Sequence, residues 1–199
     1  STQKVLQKNT QKTYILLSLN LRKFGLLNSF IGRSHGDDVL RQVYHILNDN
    51  TDTAQEMIAR GEGTTFYLFW QNQPEEQILQ RLHVIAQQIA PLGSPLGPLR
   101  IDVGIFHLNN GDNIAEAEEA ADTARKNAEK SHLNTYTFYS EAIRSRQYAE
   151  ATLLYQLEEA LDNNKLTIHL QPKVRTRDGK IAGAEALVRW QHPKNGFIS

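Results

Sequence analysis

A short apolar run near the beginning of the chain, Tyr14 to Leu21, constrains the fold more than any other feature. Its letters are Y-I-L-L-S-L-N-L, and polar segments border it on both sides. An apolar run this short, bounded by polar residues, is typical of a buried strand. We therefore take this strand as the central element of the fold and interpret the later elements in relation to it.

The rest of the chain alternates between helical and strand patterns. Apolar residues at helix spacing predict helices over 23–32, 36–48, 75–90 and 114–130. Shorter apolar runs predict strands over 57–59, 66–70, 99–108 and 136–139. The glycines of R-G-E-G-T-T, between the second and third strands, indicate a hairpin. This order predicts an α/β sandwich with helices covering a mixed, largely antiparallel sheet.

Composition excludes several classes of protein. Hydrophobic residues make up 40% and charged residues 22% of the 199 residues, as in a folded globular chain with room for one domain and part of a second. Lys plus Arg and Asp plus Glu both total 22, so the formal net charge is zero. Nucleic-acid-binding proteins usually carry a basic excess, so no nucleic-acid partner is expected.

The absence of cysteine and of long apolar runs gives further limits. Without cysteine, the chain can form no disulfide and no cysteine-ligated metal site, which fits a reducing cytosol. No apolar run reaches the ~20 residues of a membrane-spanning helix, and no signal-peptide pattern is present. We interpret the chain as an excised piece of a longer parent. Membrane attachment is not expected for this piece and stays open for the parent.

Four segments, taken in order, resemble the GGDEF family of diguanylate cyclases: S-L-N-L-R-K-F, N-S-F-I-G-R-S-H-G-D, R-G-E-G-T-T-F and A-D-T-A-R-K-N-A-E-K. The resemblance runs from about Tyr14 to Tyr139. It implies the palm-like sandwich of nucleotidyl cyclases, two GTP molecules as substrates, and a homodimer that pairs two active sites. A homo-oligomer is therefore expected.

The cyclase site that the resemblance implies lacks its carboxylates. Cyclase chemistry needs divalent metals held by carboxylates, which the family supplies from the end of the first strand and from the signature hairpin. The first-strand positions are Asn20 and Arg22 in this chain. Where the family has Gly-Gly-Asp-Glu-Phe, the hairpin reads Glu62, Gly63, Thr64, Thr65 and Phe66. No metal cofactor is expected for this piece.

Two glutamates make the cyclase reaction still less favourable. Glu62 replaces a glycine that would let the backbone approach substrate. Glu129 stands where the family has a lysine that faces phosphate, so a triphosphate would meet repulsion. The product-inhibition motif of the family would fall at Thr53 to Glu56, and Thr53 cannot replace its arginine. The sequence predicts that the domain has no cyclase activity.

The residues that contact guanine in the family are retained. Asn28 and Asp37 match these positions, and an Asp carboxylate can accept hydrogen bonds from the N1 and N2 donors of guanine. A simpler interpretation makes Asn28 a turn residue and Asp37 a helix cap that follows Gly36. GTP binding is left open between these two interpretations.

A second resemblance begins near Leu154. The segments L-Y-Q-L-E-E-A-L, L-T-I-H-L-Q-P and I-A-G-A-E-A-L-V-R-W-Q-H-P resemble the opening of an EAL cyclic-di-GMP phosphodiesterase. The resemblance implies that Glu185 is a metal ligand in the full-length parent, with Mg or Mn as cofactor, and that Arg189 faces the ligand phosphate. The positions implied around the cyclic-di-GMP pocket are Gln171, Glu185, Leu187, Arg189 and Pro193.

The EAL portion is too short to complete its fold. A TIM-like barrel needs roughly 250 residues, so 164–199 would form only its truncated start and no phosphodiesterase. Strands are predicted over 166–170 and 181–190, joined as a hairpin through a turn that contains Asp178-Gly179. Without neighbouring strands, the apolar side chains of this hairpin are expected to be incompletely buried: Ile168, Leu170, Leu187 and Trp190.

These observations predict four segments and one leading function. The segments are a linker or helix end (1–13), a degenerate GGDEF domain (14–140), a connecting helix (141–163) and the truncated EAL start (164–199). The leading hypothesis is an inactive regulatory domain of a cytoplasmic bacterial signalling protein. It would modulate a downstream phosphodiesterase for cyclic-di-GMP, with GTP as its own ligand. The alternative is a dimerisation or protein-interaction module that binds no nucleotide.

Overall fold

The protein is described by a computed structural model over residues 13–109, 111–128, 132–192 and 196–198. It divides into two units, Ser1–Ile143 and Arg144–Ser199. The elements of the first unit are β1 (Tyr14–Arg22), α1 (Phe24–Ile31), α2 (Arg33–Asp49), β2 (Met57–Arg60), β3 (Thr65–Gln71), α3 (Glu75–Ile89), a 3-10 turn (Ala90–Gly93), β4 (Arg100–Leu108), α4 (Ile114–Lys126) and β5 (Thr135–Phe138).

The five strands of the first unit form one sheet in the order β2-β3-β1-β4-β5. All neighbouring pairs are antiparallel except β4 and β5, which are parallel. The predicted mixed, largely antiparallel sheet is therefore confirmed. Strand β1 lies at the centre, and seven of its residues, Tyr14 to Leu19 and Leu21, are buried. Its two neighbours and the covering helices explain why the run is apolar without alternation.

Side chains on β1 alternate between two cores. Ile15, Leu17 and Leu19 belong to the larger core, which also holds buried residues of α1, α2 and α3. Tyr14 and Leu16 belong to a smaller core on the other face, together with Ala117 and Ala121 of α4. Helix α4 lies very close to the sheet, because a Cβ atom built on Gly104 would be 1.9 Å from the Ala121 carbonyl oxygen. The alanines of α4 permit this close packing.

The boundaries of two helices differ from the predictions and change the interpretation of the guanine positions. Helix α2 begins at Arg33 rather than 36, after Gly32, whose φ of 84° favours glycine. Asp37 therefore lies inside α2 and does not cap it. The first turn of α2 carries no acidic residue. Asn28 lies within α1 and is not a turn residue. Both simpler interpretations were wrong, because the two helices are separated by a single glycine.

The second unit contains one helix and a small sheet: α5 (Glu141–Asp162, which begins at the end of the first unit), β6 (Leu166–Val174), β7 (Ile181–His192) and β8 (Gly196–Ile198). The sheet has the order β6-β7-β8 and is antiparallel, which confirms the predicted hairpin. Ile168 and Leu170 are 66% and 69% exposed, as expected, but Trp190 is only 6% exposed. The prediction for Trp190 was wrong.

Trp190 is buried because this unit contains more partners than the hairpin alone. It pairs with Ile198 of β8, and its ring contacts the ring of His192 edge-on at 4.8 Å. His192 is itself buried and its ring nitrogen lies 2.7 Å from the Gln156 side chain of α5. Within the described ranges, none of the helices has the length and apolar content needed to span a bilayer.

Candidate functional site

A row of polar side chains runs along one face of the central strand. Ser18, Asn20 and Arg22 alternate with buried leucines on β1, so the three side chains share one face. Each of them is bonded to a different neighbour: Ser18 to α4, Asn20 to the β2–β3 hairpin and Arg22 to β4. This row contains the first-strand positions of the predicted cyclase site.

Asn20 joins the two threonines of the hairpin in a neutral cluster. Its Nδ2 donates to Thr64 Oγ1 at 2.9 Å and to Thr65 Oγ1 at 3.1 Å. The structure therefore brings the three degenerate positions together, as the resemblance implied. The cluster does not fit Mg or Mn, because it offers an amide and hydroxyls where these cations need carboxylates. Within the described residues, no group of three His, Cys, Asp or Glu side chains gathers at a metal-binding distance.

Arg22 is held by Asp102 on the neighbouring strand. Its Nε donates to Asp102 Oδ2 at 3.0 Å, and a second bond from the same guanidinium reaches Oδ1. Thr135 donates to the same carboxylate at 2.5 Å. The hydrogen bond to Asp102 raises the pKa of Arg22 and outweighs the opposing effect of burial. Arg22 and Asp102, which lies directly opposite Asn20, therefore form a closed ion pair beside the cluster, and a metal ion placed there would have to displace Arg22 from the carboxylate.

Ser18 anchors a second polar network beneath α4. Its hydroxyl donates to Asp122 Oδ1 at 2.5 Å, and Tyr67 and Arg125 also donate to the Asp122 carboxylate. Burial alone would raise the pKa of Asp122, but these hydrogen bonds and the Arg125 charge lower it. Burial, followed by the Asp122 charge, raises the pKa of Tyr67 to about 12. The sequence analysis missed this network, since its members lie up to 107 positions apart.

The two guanine positions lie close together across the α1–α2 junction. A Cβ atom built on Gly36 would be 2.0 Å from Asn28 Oδ1, so the Asn28 side chain packs against the residue that precedes Asp37. Asp37 is exposed and lines a pocket of about 320 Å³ with Leu40, Tyr44, Arg60 and Phe66, among others. Asp37 forms no ion pair with any described residue. The geometry leaves its carboxylate available to a ligand.

The tip of the hairpin is ordered by Arg60. Its guanidinium donates to the Gly63 carbonyl oxygen at 2.5 Å and lies over the Phe66 ring, 4.8 Å from the centroid. Glu62 is exposed at this tip, and Gly63 has a φ of 58°. Glu129, the other glutamate predicted to oppose the reaction, lies outside the described residues.

The position of the inhibitory motif has a structural role in this chain. Glu56 is 4% exposed and accepts hydrogen bonds from Arg81 at 3.0 and 2.5 Å, and from the backbone N–H groups of Asp52 and Gln71. The Arg81 guanidinium also lies 3.7 Å from the Trp70 ring centroid. Glu56 is thus fully engaged within the fold. No spacing in the sequence indicated a partner 25 positions away.

In the second unit, four of the five implied EAL positions share one face of the β6–β7 hairpin. Gln171 lies directly opposite Glu185, and Leu187 and Arg189 follow at alternate positions on β7. Lys173 forms an ion pair with Glu185 at 3.0 Å, with both side chains more than half exposed. The fifth position, Pro193, lies outside the described residues.

Comparison with known families agrees with the division of the chain into two units. The family model described as "Diguanylate cyclase, GGDEF domain" matches residues 1–135, and the model described as "EAL domain" matches residues 155–199. The chain belongs to the GGDEF family. The GGDEF match covers more than half of the chain, and the EAL match covers its last part.

Relatives of this GGDEF chain include three bacterial signalling proteins. It is 28% identical over 192 residues to the "Bifunctional diguanylate cyclase/cyclic di-GMP phosphodiesterase MucR" of Pseudomonas aeruginosa, covering 94% of this chain and 28% of the relative. The "Cyclic di-GMP phosphodiesterase NbdA" of the same species is 26% identical, and the match covers 94% of this chain and 24% of the relative. The "Cyclic di-GMP phosphodiesterase PdeR" of Escherichia coli is 28% identical, and the match covers 90% of this chain and 28% of the relative. The chain therefore spans about a quarter of these relatives.

Solved structures agree on the fold of the GGDEF domain. The active GGEEF domain of a diguanylate cyclase from Vibrio cholerae superposes with a TM-score of 0.60 at 20% identity, covering 69% of this chain and 91% of that domain. A structure of the coiled coil and GGDEF domain of DgcB from Caulobacter crescentus was solved with cyclic-di-GMP. It superposes with a TM-score of 0.59 at 19% identity, covering 68% of this chain and 75% of that chain. The palm-like fold expected from the sequence is confirmed.

Proposed function

We propose that this GGDEF domain is a catalytically inactive regulatory domain of a cyclic-di-GMP signalling protein, which binds GTP and modulates an EAL phosphodiesterase that follows it. The observation that carries the proposal is the hydrogen bonding of Asn20 to Thr64 and Thr65. Carboxylates would be needed at these positions to hold metal ions. The cluster instead satisfies its own polar groups and carries no charge.

The charge beside the cluster supports the loss of cyclase activity. Arg22 is fixed in a two-point ion pair with Asp102, so this carboxylate already has a cationic partner. A metal ion at the end of β1 would have to displace Arg22 from Asp102, and it would find no carboxylate at Asn20, Thr64 or Thr65.

The guanine positions support GTP as the regulatory ligand. Asp37 lines an open pocket, and Asn28 packs beside it against Gly36. A carboxylate can accept two hydrogen bonds from the N1 and N2 donors of guanine, whereas the N1 lone pair of adenine would be repelled. We therefore assign guanine selectivity to Asp37.

The EAL part supports a downstream phosphodiesterase as the regulated partner. Gln171, Glu185 and Arg189 share one face of the hairpin, where an incoming cyclic-di-GMP would meet them together. In the full-length parent, Glu185 would contribute to a Mg or Mn site with carboxylates from later strands. The relatives MucR, NbdA and PdeR carry phosphodiesterase in their names. We place the parent in the bacterial cytoplasm.

One observation favours a second function, a protein-interaction module that binds no nucleotide. Helix α1 exposes two large apolar side chains, Leu26 and Phe30, at 64% and 63%. Adjacent exposed apolar residues on a helix are typical of surfaces that contact another protein. In this alternative, the retained Asn28 and Asp37 would serve only the α1–α2 junction.

Calorimetric titration of the whole chain with GTP and with ATP separates the two functions. The regulatory proposal expects GTP to bind more tightly than ATP, and expects Asp37→Ala to remove most of this preference. Asp49→Ala is the matched control, because Asp49 is an exposed aspartate on the same helix that does not line the pocket. No binding of either nucleotide would favour the interaction module, and equal affinities for GTP and ATP would contradict the guanine selectivity assigned to Asp37.

A further inference from the structure

One surface of the GGDEF domain, around helix α1, combines exposed apolar side chains with cations. Leu26 and Phe30 are 64% and 63% exposed, and their i, i+4 spacing places them side by side on α1. A cavity of about 290 Å³ lies beside Leu26, and the half-exposed Leu96 lines it as well. We call this surface the docking face and define it by five residues: Lys23, Leu26, Phe30, Leu96 and Arg100.

The two cations of the docking face have no acidic partner among the described residues. Lys23 and Arg100 form no ion pair within the part of the chain that the structure describes. Asp102, two residues along β4 from Arg100, is already paired with Arg22. No described acidic residue lines the cavity. A partner that fits this face therefore offers apolar side chains flanked by carboxylates.

The second half of α5 carries a surface of this complementary kind. We call it the acidic face and define it by four residues on one side of the helix: Leu154, Glu158, Leu161 and Asp162. They follow one another at i, i+4, i+7 and i+8, which is the spacing of a single helix face. All four are exposed, although Leu154 and Leu161 are large apolar side chains.

The charges of the acidic face are unfavourable for α5 itself. The last turn of the helix contains no basic residue, and neither Glu158 nor Asp162 pairs with a described cation. Carboxylates at this end of a helix meet the negative end of its dipole. A cationic surface in contact with the last turn would offset this repulsion. The formal net charge of the whole chain is zero, so a second copy of the chain can supply that surface without an excess of either charge.

We propose that the docking face of one chain binds the acidic face of a second copy. The two leucines of the acidic face pack against Leu26 and Phe30, and its carboxylates meet Lys23 and Arg100. The contact joins two different faces, so a chain with an altered docking face still offers an intact acidic face. It requires no nucleotide and therefore stands apart from the GTP binding proposed above, which the calorimetric titration tests separately.

Crosslinking at introduced cysteines tests this contact directly. The chain contains no cysteine, so a single introduced thiol reports on one known position. We expect a bismaleimide reagent to join Phe30→Cys to Leu161→Cys in an equimolar mixture of the two whole chains, with the joined peptides identified by mass spectrometry. Val84→Cys in place of Phe30→Cys is the control, because Val84 is exposed on α3 and does not line the cavity. The yield should fall as salt is added, since salt screens exposed charges.

Charge reversal tests the electrostatic part of the contact. Arg100→Glu in the Phe30→Cys chain should lower the yield about two- to fivefold, as expected for the loss of an exposed ion pair. Glu158→Lys in the Leu161→Cys chain should have the same effect. Mixing the two altered chains should restore the yield, because the charges again have opposite signs. Arg177→Glu is the matched control, since Arg177 is an exposed arginine in the β6–β7 turn.

Three results would overturn the proposal. The first is a mixed crosslink no stronger than that of Val84→Cys. The second is a predominant crosslink of Phe30→Cys to itself, which would show that two docking faces pack against each other. The third is binding of the native chain to phosphatidylserine vesicles that is lost in Phe30→Ser, without any mixed crosslink, which would assign the docking face to a lipid surface. Circular dichroism of each variant verifies that the fold is retained.

Discussion

Asn20 on β1 lies directly opposite Thr65 on β3, and its side-chain amide donates to the Thr65 hydroxyl at 3.1 Å. The same amide also donates to Thr64 at 2.9 Å. Both amide hydrogens are therefore used within the domain. The positions that the resemblance assigns to the metal site therefore connect the hairpin to the central strand by hydrogen bonds.

Restoring the carboxylates should not restore the cyclase. Neither the native chain nor the triple variant Asn20→Asp, Thr64→Asp, Thr65→Glu is expected to form cyclic-di-GMP from GTP with Mg²⁺ or Mn²⁺, measured by chromatography. The Arg22 charge, the exposed Glu62 at the hairpin tip and Glu129 all remain in the variant. Cyclic-di-GMP formation that disappears on substituting Asn28 or Asp37 would contradict this expectation.

The ion pair between Arg22 and Asp102 should stabilise the domain measurably. In Asp102→Asn, Arg22 loses its charged partner while it still faces Arg100 across the strands. We expect the free energy of unfolding in urea to fall by about 1–3 kcal/mol. The control is Asp38→Asn, which removes an exposed pair with Arg41 and should cost about 0.5 kcal/mol or less.

A double variant distinguishes the loss of the Arg22–Asp102 ion pair from the repulsion between Arg22 and Arg100. Adding Arg22→Gln to Asp102→Asn removes the uncompensated charge, so the double variant should be more stable than Asp102→Asn alone. A double variant less stable than the single one would show that repulsion between Arg22 and Arg100 is not significant.

The close packing of α4 on the sheet should make Gly104 intolerant of a side chain. In Gly104→Ala, the new methyl group would be 1.9 Å from the Ala121 carbonyl oxygen and 2.4 Å from the Arg125 nitrogen, both backbone atoms. Overpacking of this kind costs about 1–3 kcal/mol or more. Gly25→Ala is the matched control, since the position on α1 is open and Ala is a better helix former. Thermal unfolding of both variants tests this contrast, and equal melting temperatures would contradict it.

Tyr67 should make the stability of the domain depend on pH in the alkaline range. Its pKa is raised from 10.0 to about 12, first by burial and then by the Asp122 charge. The unfolded chain therefore loses this proton before the folded domain does, so the contribution is complete below pH 10 and is lost between pH 10 and about 12. Urea unfolding across this range should show a shallower pH dependence in Tyr67→Phe than in the native chain.

Tyr148→Phe provides the control for this measurement. Tyr148 is 69% exposed on α5, so its removal should leave the alkaline slope of the unfolding free energy unchanged. If Tyr67→Phe and Tyr148→Phe had the same slope as the native chain, the coupling between Tyr67 and Asp122 would be contradicted.

The edge strand β6 should promote self-association of the chain. It is the first strand of its sheet, and it exposes Ile168 and Leu170 on one face. Open strand edges recruit other strands. We expect Ile168→Lys with Leu170→Lys to lower the average mass measured by light scattering at high protein concentration. His169→Lys, on the other face of β6, is the control. A mass unchanged by the double variant would contradict this expectation.

Much of the GGDEF fold could be predicted because local patterns specify its elements. The apolar run on β1, the helical spacing over 75–90 and the hairpin glycines each gave an element close to the one observed. The largest errors were at helix ends. Helix α2 began three residues early and α4 ended at Lys126 rather than 130, since a helix end depends on a few capping contacts rather than on a repeated pattern.

The identities of the site residues are visible in the sequence, but their partners are not. The loss of acid at Asn20, Thr64 and Thr65 can be read directly, and so can the positive charge of Arg22. The pairing of Arg22 with Asp102 spans 80 positions. It exists only because strands β1 and β4 are neighbours in a particular register, which no local spacing reveals.

The sequence by itself determined which elements form and that Asn20, Thr64 and Thr65 carry no carboxylate, because periodicity and residue identity are local properties. Tertiary structure decided which side chains meet. It placed Arg22 opposite Arg100, buried Glu56 beside Arg81, and covered Trp190 with β8. Hydrogen bonds, ion pairs and burial act over a few ångströms in space, while partners such as Arg22 and Asp102 lie 80 residues apart in the chain. Only the folded arrangement brings them within that range.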